Sequence, residues 1–372
     1  MQKIPGRAGL IRFLLAHLTN QRKGVKSKMK RFGLFISLAL AVVFLAGSAF
    51  AADVIKMKLA NAGPADPNDR TVIAVEVFKN YVETKTQGKV KINVFHASQL
   101  GNEKEILEGL KMGTIELGTI TTGPIPTLFK PIMVFDIPYL FPNKYVAWEV
   151  LDGPFGQQLM EEMYKATGIK CLAISENGYR HFFTGKKQIK SPADMKGLKL
   201  RTMENPAHMK LVEALGASPT PIAFGELYMA LQQGVVDGAE CPITLINNMK
   251  FYEVQKYVVL DGHLYNPLIM FINGNLWEKL PGDIQQALFE GAQLFKITQR
   301  ALTERQVQTG IENLKKQGMT IYVPTAEEAK QFRDLSQPAV LEYVKAEVGE
   351  EWVNKVMKAV KEAEEKEKGM LK

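Results

Sequence analysis

From Val54 to Ala60 apolar and polar side chains alternate, which predicts a half-buried strand. Beyond Pro67 the spacing becomes helical: Ala74, Phe78, Tyr81 and Val82 share one face, and Gly88 ends the run. Val90, Ile92 and Val94 alternate with Lys91 and Asn93 as a second strand. Asn102-Glu103-Lys104-Glu105 has the form of a capping box and opens a helix through Ile106, Leu107 and Leu110 to Gly113. Ile115–Thr121 reads as a third strand. This β-α-β-α-β rhythm predicts a largely parallel, doubly wound sheet with ligand crevices at the carboxyl ends of its strands.

The rhythm restarts near residue 170. Strands are expected at Ile169–Ser175, Leu198–Met203 and Val235–Glu240, with a short turn from Ser191-Pro192 to Gly197. A helix capped by Asn205-Pro206 runs to Gly216, and another covers Phe224–Gln233. Two sheet-building stretches separated by a restart imply two lobes with a cleft between them. From Pro281 to Gln317 no further proline interrupts a helical pattern, so a rod of ~50 Å is expected at ~1.5 Å per residue. Such a rod is longer than one lobe is wide and has to cross between lobes; the alternative is two helices broken near Gly310. Residues 325–366 form a charge-rich helical tail on the outside.

The formal charge of +8 suggests a nucleic-acid binder until it is located. Residues 1–51 hold nine basic side chains and no acidic one; of 47 basic and 39 acidic residues in the chain, 38 and 39 remain beyond them. The basicity belongs to the leader, and the electrostatic case for DNA or RNA fails. Met29-Lys30-Arg31, an apolar run from Phe32 to Ala46, and Ala49-Phe50-Ala51 make a secretory signal with cleavage after Ala51, hence a periplasmic product. A membrane anchor is the alternative, but the run is short for a span of ~20 residues. Met29 is the expected true start, residues 1–28 being an upstream extension. No lipid-acceptor cysteine follows the apolar run. Cys171 and Cys241 could pair in an oxidising compartment, although the apolar setting of Cys171 favours two separate buried thiols.

There is no GxGxxG, Walker A, HExxH or GxSxG, and the five histidines lack ligand spacing, so neither cofactor nor metal is expected. An exported two-lobed chain without catalytic motifs points to a binding protein rather than an enzyme. Two arginines sit in apolar settings. Arg201 ends Leu198-Lys199-Leu200-Arg201 just before a helix N-terminus, where a planar donor and free N–H groups suit a carboxylate. Arg180 lies among aromatics in Asn177-Gly178-Tyr179-Arg180-His181-Phe182. The structural alternative for both is a pair with a protein carboxylate such as Glu176 or Glu240.

Four further stretches carry a resemblance. Gly197–Arg201, Gly216–Pro221, Phe224–Gly238 and Lys250–Tyr257, with Ser98-Gln99-Leu100-Gly101, closely resemble the DctP-type solute-binding proteins of tripartite ATP-independent periplasmic (TRAP) transporters. The resemblance implies an α/β, two-lobed type II periplasmic-binding-protein fold with the long helix spanning both lobes. It implies lobe I from 52–178 plus 266–306, lobe II from 179–265 plus 307–372, and a leader over 1–51. It further implies capture of a small organic acid, a C4-dicarboxylate or sugar acid, for delivery to the two membrane subunits of an ion-gradient-driven permease, by a protein expected to be a monomer. In such proteins the residue matching Arg201 is the main carboxylate clamp and that matching Arg180 is commonly a second. Positions matching Asn61, Glu103, Phe224 and Tyr228 line the cleft. Cys241 stands where the family often has asparagine, which removes an amide from the expected site. A binding protein of an ABC importer would share the fold without the 197–257 block, and a secreted hydrolase would need a nucleophile in the cleft.

Overall fold

The computed structural model describes residues 54–370; the leader and its cleavage point lie outside the described residues. Strand β1 (Ile55–Asn61) lies between β2 (Val90–Phe95) and β3 (Leu117–Thr121), parallel to both. Helices α1 (Arg70–Lys85) and α2 (Glu103–Met112) make the two crossovers. Asn102 caps α2 in the expected box with Glu105, and Gly113 ends it in the left-handed conformation that a side chain resists.

The sheet is less parallel than the rhythm implies. Strand β4 (Ile169–Thr184) and strand β9 (Leu264–Asn273) run antiparallel to each other through the middle of one ten-stranded sheet. The strand expected to stop at Ser175 continues through a bulge between Glu176 and Gly178. Turn-forming Asn177-Gly178 hides this continuation in the sequence, because a bulge uses the same residues as a turn. On one side β9 pairs with β3; on the other β4 pairs with β7 (Gly238–Pro242). Beyond β7 lie β5 (Lys199–Thr202) and β6 (Ser218–Pro221), both parallel to β7, while β8 (Tyr257–Val259) pairs antiparallel with the last residues of β4 and carries β10 (Thr320–Tyr322) beside it. The short strand expected at Val235–Glu240 is displaced to Gly238–Pro242, which puts Cys241 inside it.

Three apolar clusters hold the lobes. Met57, Leu59, Phe78, Val82 and Met270 pack with Leu288 and Phe295 under the first lobe. Phe183, Leu231, Ile243, Phe251 and Leu314 pack under the second. A third cluster runs along the opposite face and includes Ile106, Phe135, Phe271 and Val340. The long helix, α3 (Gly282–Lys316), is continuous for 35 residues, through Gly310, and supplies both lobes. Gly291 brings it against Val82 and Phe78 of α1; Gly310 brings it against Ile243 and Asn247 of a short helix, Ile243–Asn248. Where β4 passes from one lobe to the other, Gln299 of α3 donates to the Glu176 carbonyl (2.5 Å) and accepts from the Ser175 hydroxyl.

The tail divides between the lobes. Helix Ala326–Val348 packs on helix Pro206–Ala214 of the second lobe, but helix Glu350–Met370 packs on Lys144–Asp152 and Pro154–Thr167 of the first. Trp352 meets Phe155 edge-on at 6.2 Å. The final helix, expected with lobe II, thus packs on residues of the 52–178 stretch, and Ala326–Val348 also touches Lys130–Asp136 of that stretch. Among the described residues no helix is long and apolar enough to cross a membrane.

Candidate ligand-binding cleft

The carboxyl ends of β1, β3, β5 and β7 converge on one cavity, with about 50 Å³ open to the centres of water molecules. At roughly 10–15 Å³ per water this is room for about three to five, and at ~30 Å³ of liquid each it suits a small organic molecule. Asn61, Arg70, Glu103, Thr121 and Asn177 line it from the first lobe; Arg180, Arg201, Met203, Phe224 and Cys241 line it from the second. Six of the seven residues singled out in the sequence are thus together. Tyr228 is the exception: its hydroxyl donates to Glu253 (2.7 Å), its ring packs on Phe251, and it is not on the lining.

Arg201 is the last but one residue of β5 and is only 2% exposed. Its Nε donates to the Ile222 carbonyl (2.8 Å), which fixes the plane of the guanidinium. Nη1 has no hydrogen-bond partner, and among the described residues no carboxylate lies in ion-pair contact with it. Burial holds its pKa below the usual arginine value. The result is a charged planar fork, oriented at one end and unpartnered at the other. The helix N-terminus that follows does not join it. Asn205 caps Ala207 (2.8 Å) and spends its amide on Asp136 (2.8 Å) and the Gly123 carbonyl (3.1 Å), away from the lining.

Arg180 is built differently. Its Nε and Nη2 donate to the Glu240 carboxylate, Nη2 also to the Glu240 carbonyl (2.7 Å), and Nη1 to Asn266 (3.3 Å). Burial alone would lower its pKa; the Glu240 charge more than reverses this. Arg180 lines the cavity, but the sequence alternative of a protein ion pair is what the structure holds, so it is not an unshared clamp. Glu240 also lies 3.6 Å from His263 and 3.9 Å from His208, which in turn contact Asp261 (2.7 Å) and Asp136 (3.1 Å). This buried polar core is invisible in histidine spacing, because four separate segments supply it.

The remaining lining residues are mostly held by their own lobes. Asn61 accepts from the Gly63 N–H (2.9 Å) and contacts His96 (3.1 Å). Glu103 accepts from the Thr121 N–H (2.7 Å) and hydroxyl (3.0 Å), and burial raises its pKa. The Cys241 thiol is fully buried, pushed up to about 11 by burial and unpaired; Cys171 is half-buried and also free. Arg70 was not anticipated. It opens α1, is 1% exposed, and donates through Nη2 to the Asn177 carbonyl (2.8 Å) and Oδ1 (3.0 Å). A signal was present: a basic residue in the first turn of a helix opposes the helix dipole, and this one directly follows a loop at the end of β1.

This arrangement, two α/β lobes joined by crossing strands with polar side chains of both lobes around one cavity, is that of a two-lobed binding protein. The model of the bacterial extracellular solute-binding protein family 7 (DctP) matches residues 62–347, and the chain belongs to that family of TRAP periplasmic solute-binding proteins. A solute-binding protein of Verminephrobacter eiseniae is 41% identical over 68% of this chain and 76% of its own. A TRAP periplasmic solute-binding protein of Polaromonas, solved bound to D-erythronate, is 35% identical and superposes with a TM-score of 0.77 over 82% of this chain and 98% of its own. The sugar acid binding protein of Advenella mimigardefordensis, solved with galactonate, is 31% identical with a TM-score of 0.80 over 83% and 98%.

Proposed function

We propose that this protein captures a small organic acid, a C4-dicarboxylate or sugar acid, in the periplasm and delivers it to the two membrane subunits of an ion-gradient-driven permease. The observation that carries the reading is Arg201, a buried guanidinium with a fixed plane, a free end and no carboxylate partner. The ligand carboxylate takes two charge-assisted bonds from that end. Arg180, already neutralised by Glu240, contributes its remaining N–H and the shape of the wall. Erythronate and galactonate in the related structures support an acid ligand of this class. The protein works as a monomer, cut after Ala51, with the lobes closing by a hinge where β4 and β9 cross.

A screen of carboxylates by thermal shift, followed by calorimetry, tests the reading. A ligand that binds only the folded state raises the melting point by mass action, by about 2.7 kcal/mol of stability at a hundred times Kd. C4-dicarboxylates or sugar acids should raise it and neutral sugars should not. Binding of neutral sugars with no response to any acid would refute the proposal. Intact mass of the periplasmic form checks cleavage.

A further inference from the structure

Arg70 has donors that no part of the protein uses. Both hydrogens of Nη2 go to Asn177, while Nε and Nη1, buried on a side chain that lines the cavity, have no hydrogen-bond partner. A buried donor left without an acceptor costs stability, more so on a charged group, and burial already holds this guanidinium below its usual pKa. Asp69, the neighbouring carboxylate, does not relieve it: one oxygen caps α1 at Thr71 (2.8 Å) and the other accepts from Asn248 (2.8 Å).

The placement across the cleft matters as much. Arg201 and Arg180 stand on the second lobe, and Arg70 is the one cation that the first lobe puts on the lining. A ligand held by its carboxylate at Arg201 therefore meets a second guanidinium from the opposite lobe. We infer that Arg70 binds an oxygen at the far end of the ligand, so that the ligand is a short acid with an oxygen acceptor at each end. The inference rests on the carboxylate reading of Arg201. The two donors of Arg70 do not share an edge of the guanidinium, because Nη2 lies between them. They therefore take oxygens singly and suit a hydroxyl, keto or carboxylate oxygen alike. Glu103, the first-lobe carboxylate on the same lining, is already held by Thr121, so such a ligand ties Arg201 of one lobe to Arg70 of the other, and selection for its far end becomes part of closure.

Calorimetry with three four-carbon acids tests this: succinate, D-erythronate, and butyrate, which lacks oxygen at the far end. The wild-type protein should bind succinate or D-erythronate roughly 10- to 100-fold more tightly than butyrate, the worth of a hydrogen bond to a charged donor. Arg70→Met should bring that ratio near one. Arg70→Lys serves if the apolar variant does not fold; it too should lower the ratio, since an ammonium cannot hold Asn177 and the ligand together. Equal weakening of all three acids would mean that Arg70 only braces Asn177, and would overturn the inference. So would a wild-type protein that does not favour the oxygen-ended acids. Arg201→Ala separates the two readings: it should weaken all three acids, and unchanged butyrate affinity there would remove the clamp itself.

Discussion

Arg201 and Arg180 make a paired experiment, because the structure gives the same side chain opposite surroundings. In Arg201→Ala the unliganded protein loses one hydrogen bond, to the Ile222 carbonyl, and is relieved of a buried charge without a carboxylate partner. These effects oppose each other, so folding stability should change by no more than about 1 kcal/mol. Ligand binding should suffer far more: a buried carboxylate deprived of its partner costs about 2–5 kcal/mol, or roughly 30- to several-thousand-fold in affinity. Arg201→Lys should also bind poorly, since an ammonium keeps the charge but loses the planar fork. In Arg180→Ala the balance is reversed. Glu240, 2% exposed, would be left buried without its guanidinium partner. Breaking a buried pair in this way costs about 3–5 kcal/mol; we expect about 3, because His263 and His208 remain 3.6 and 3.9 Å away. Urea unfolding without ligand and calorimetry with it measure the two quantities separately. A destabilised Arg201→Ala protein of near-normal affinity would refute the reasoning.

Three further outcomes follow from the same structure. Burial opposes the charged form of His263, yet Asp261 and Glu240 outweigh it and raise its pKa to about 9. Its contribution to stability is complete below the ordinary value of 6.5 and lost as pH rises through about 9. Burial pushes His181 down to about 4, so the unfolded chain takes up the extra proton between pH 4 and 6.5, and stability falls there on acidification. Urea midpoints should therefore peak between these limbs, and His263→Gln should flatten the alkaline one; a profile level from pH 4 to 9 would contradict both. Gly178 sits at φ +109° in the bulge, where an added Cβ would meet nothing closer than Pro242 at 3.7 Å. Gly178→Ala should therefore cost about 1–3 kcal/mol through the backbone alone. Urea unfolding checks it, and an unchanged midpoint would mean the bulge tolerates another conformation. Cys171 and Cys241, pushed up to about 12 and about 11 by burial, should alkylate slowly in the native protein and both react on unfolding without reductant; recovery of a disulfide would contradict this.

The elements legible in the sequence are those whose pattern is local. Asn102 and Glu105 announce a capping box within four residues, and the period of α3 survives Gly310 because Ile311 and Leu314 keep the helical step beyond it. The glycine is there for packing, at 3.1 Å from Ile243 if it carried a Cβ, rather than to end the helix. What stayed hidden is non-local. The antiparallel β4–β9 pair joins residues about a hundred apart, and both strands are buried, so neither shows the alternation that would give its direction away. The tail looked uniform because a charge-rich helix reads the same whichever lobe it covers.

The site divides along the same line. Arg201 could be read because an arginine near the end of a β-strand, just before a helix, carries its chemistry in consecutive residues. Whether that arginine is free depends on where Glu240 goes, and only the β4–β7 register, which sets Phe182 opposite Glu240, gives the carboxylate to Arg180 instead. The two sequence alternatives part here: Arg180 holds the protein ion pair, and Arg201 is left without a carboxylate partner, as the proposed clamp requires. Had Glu240 been free to reach Arg201, the cavity would hold a neutral pair and little attraction for an anion. Under the proposed reading Arg180 therefore supports binding indirectly, by occupying Glu240, the one carboxylate of β7, and leaving the positive charge of Arg201 to the cleft.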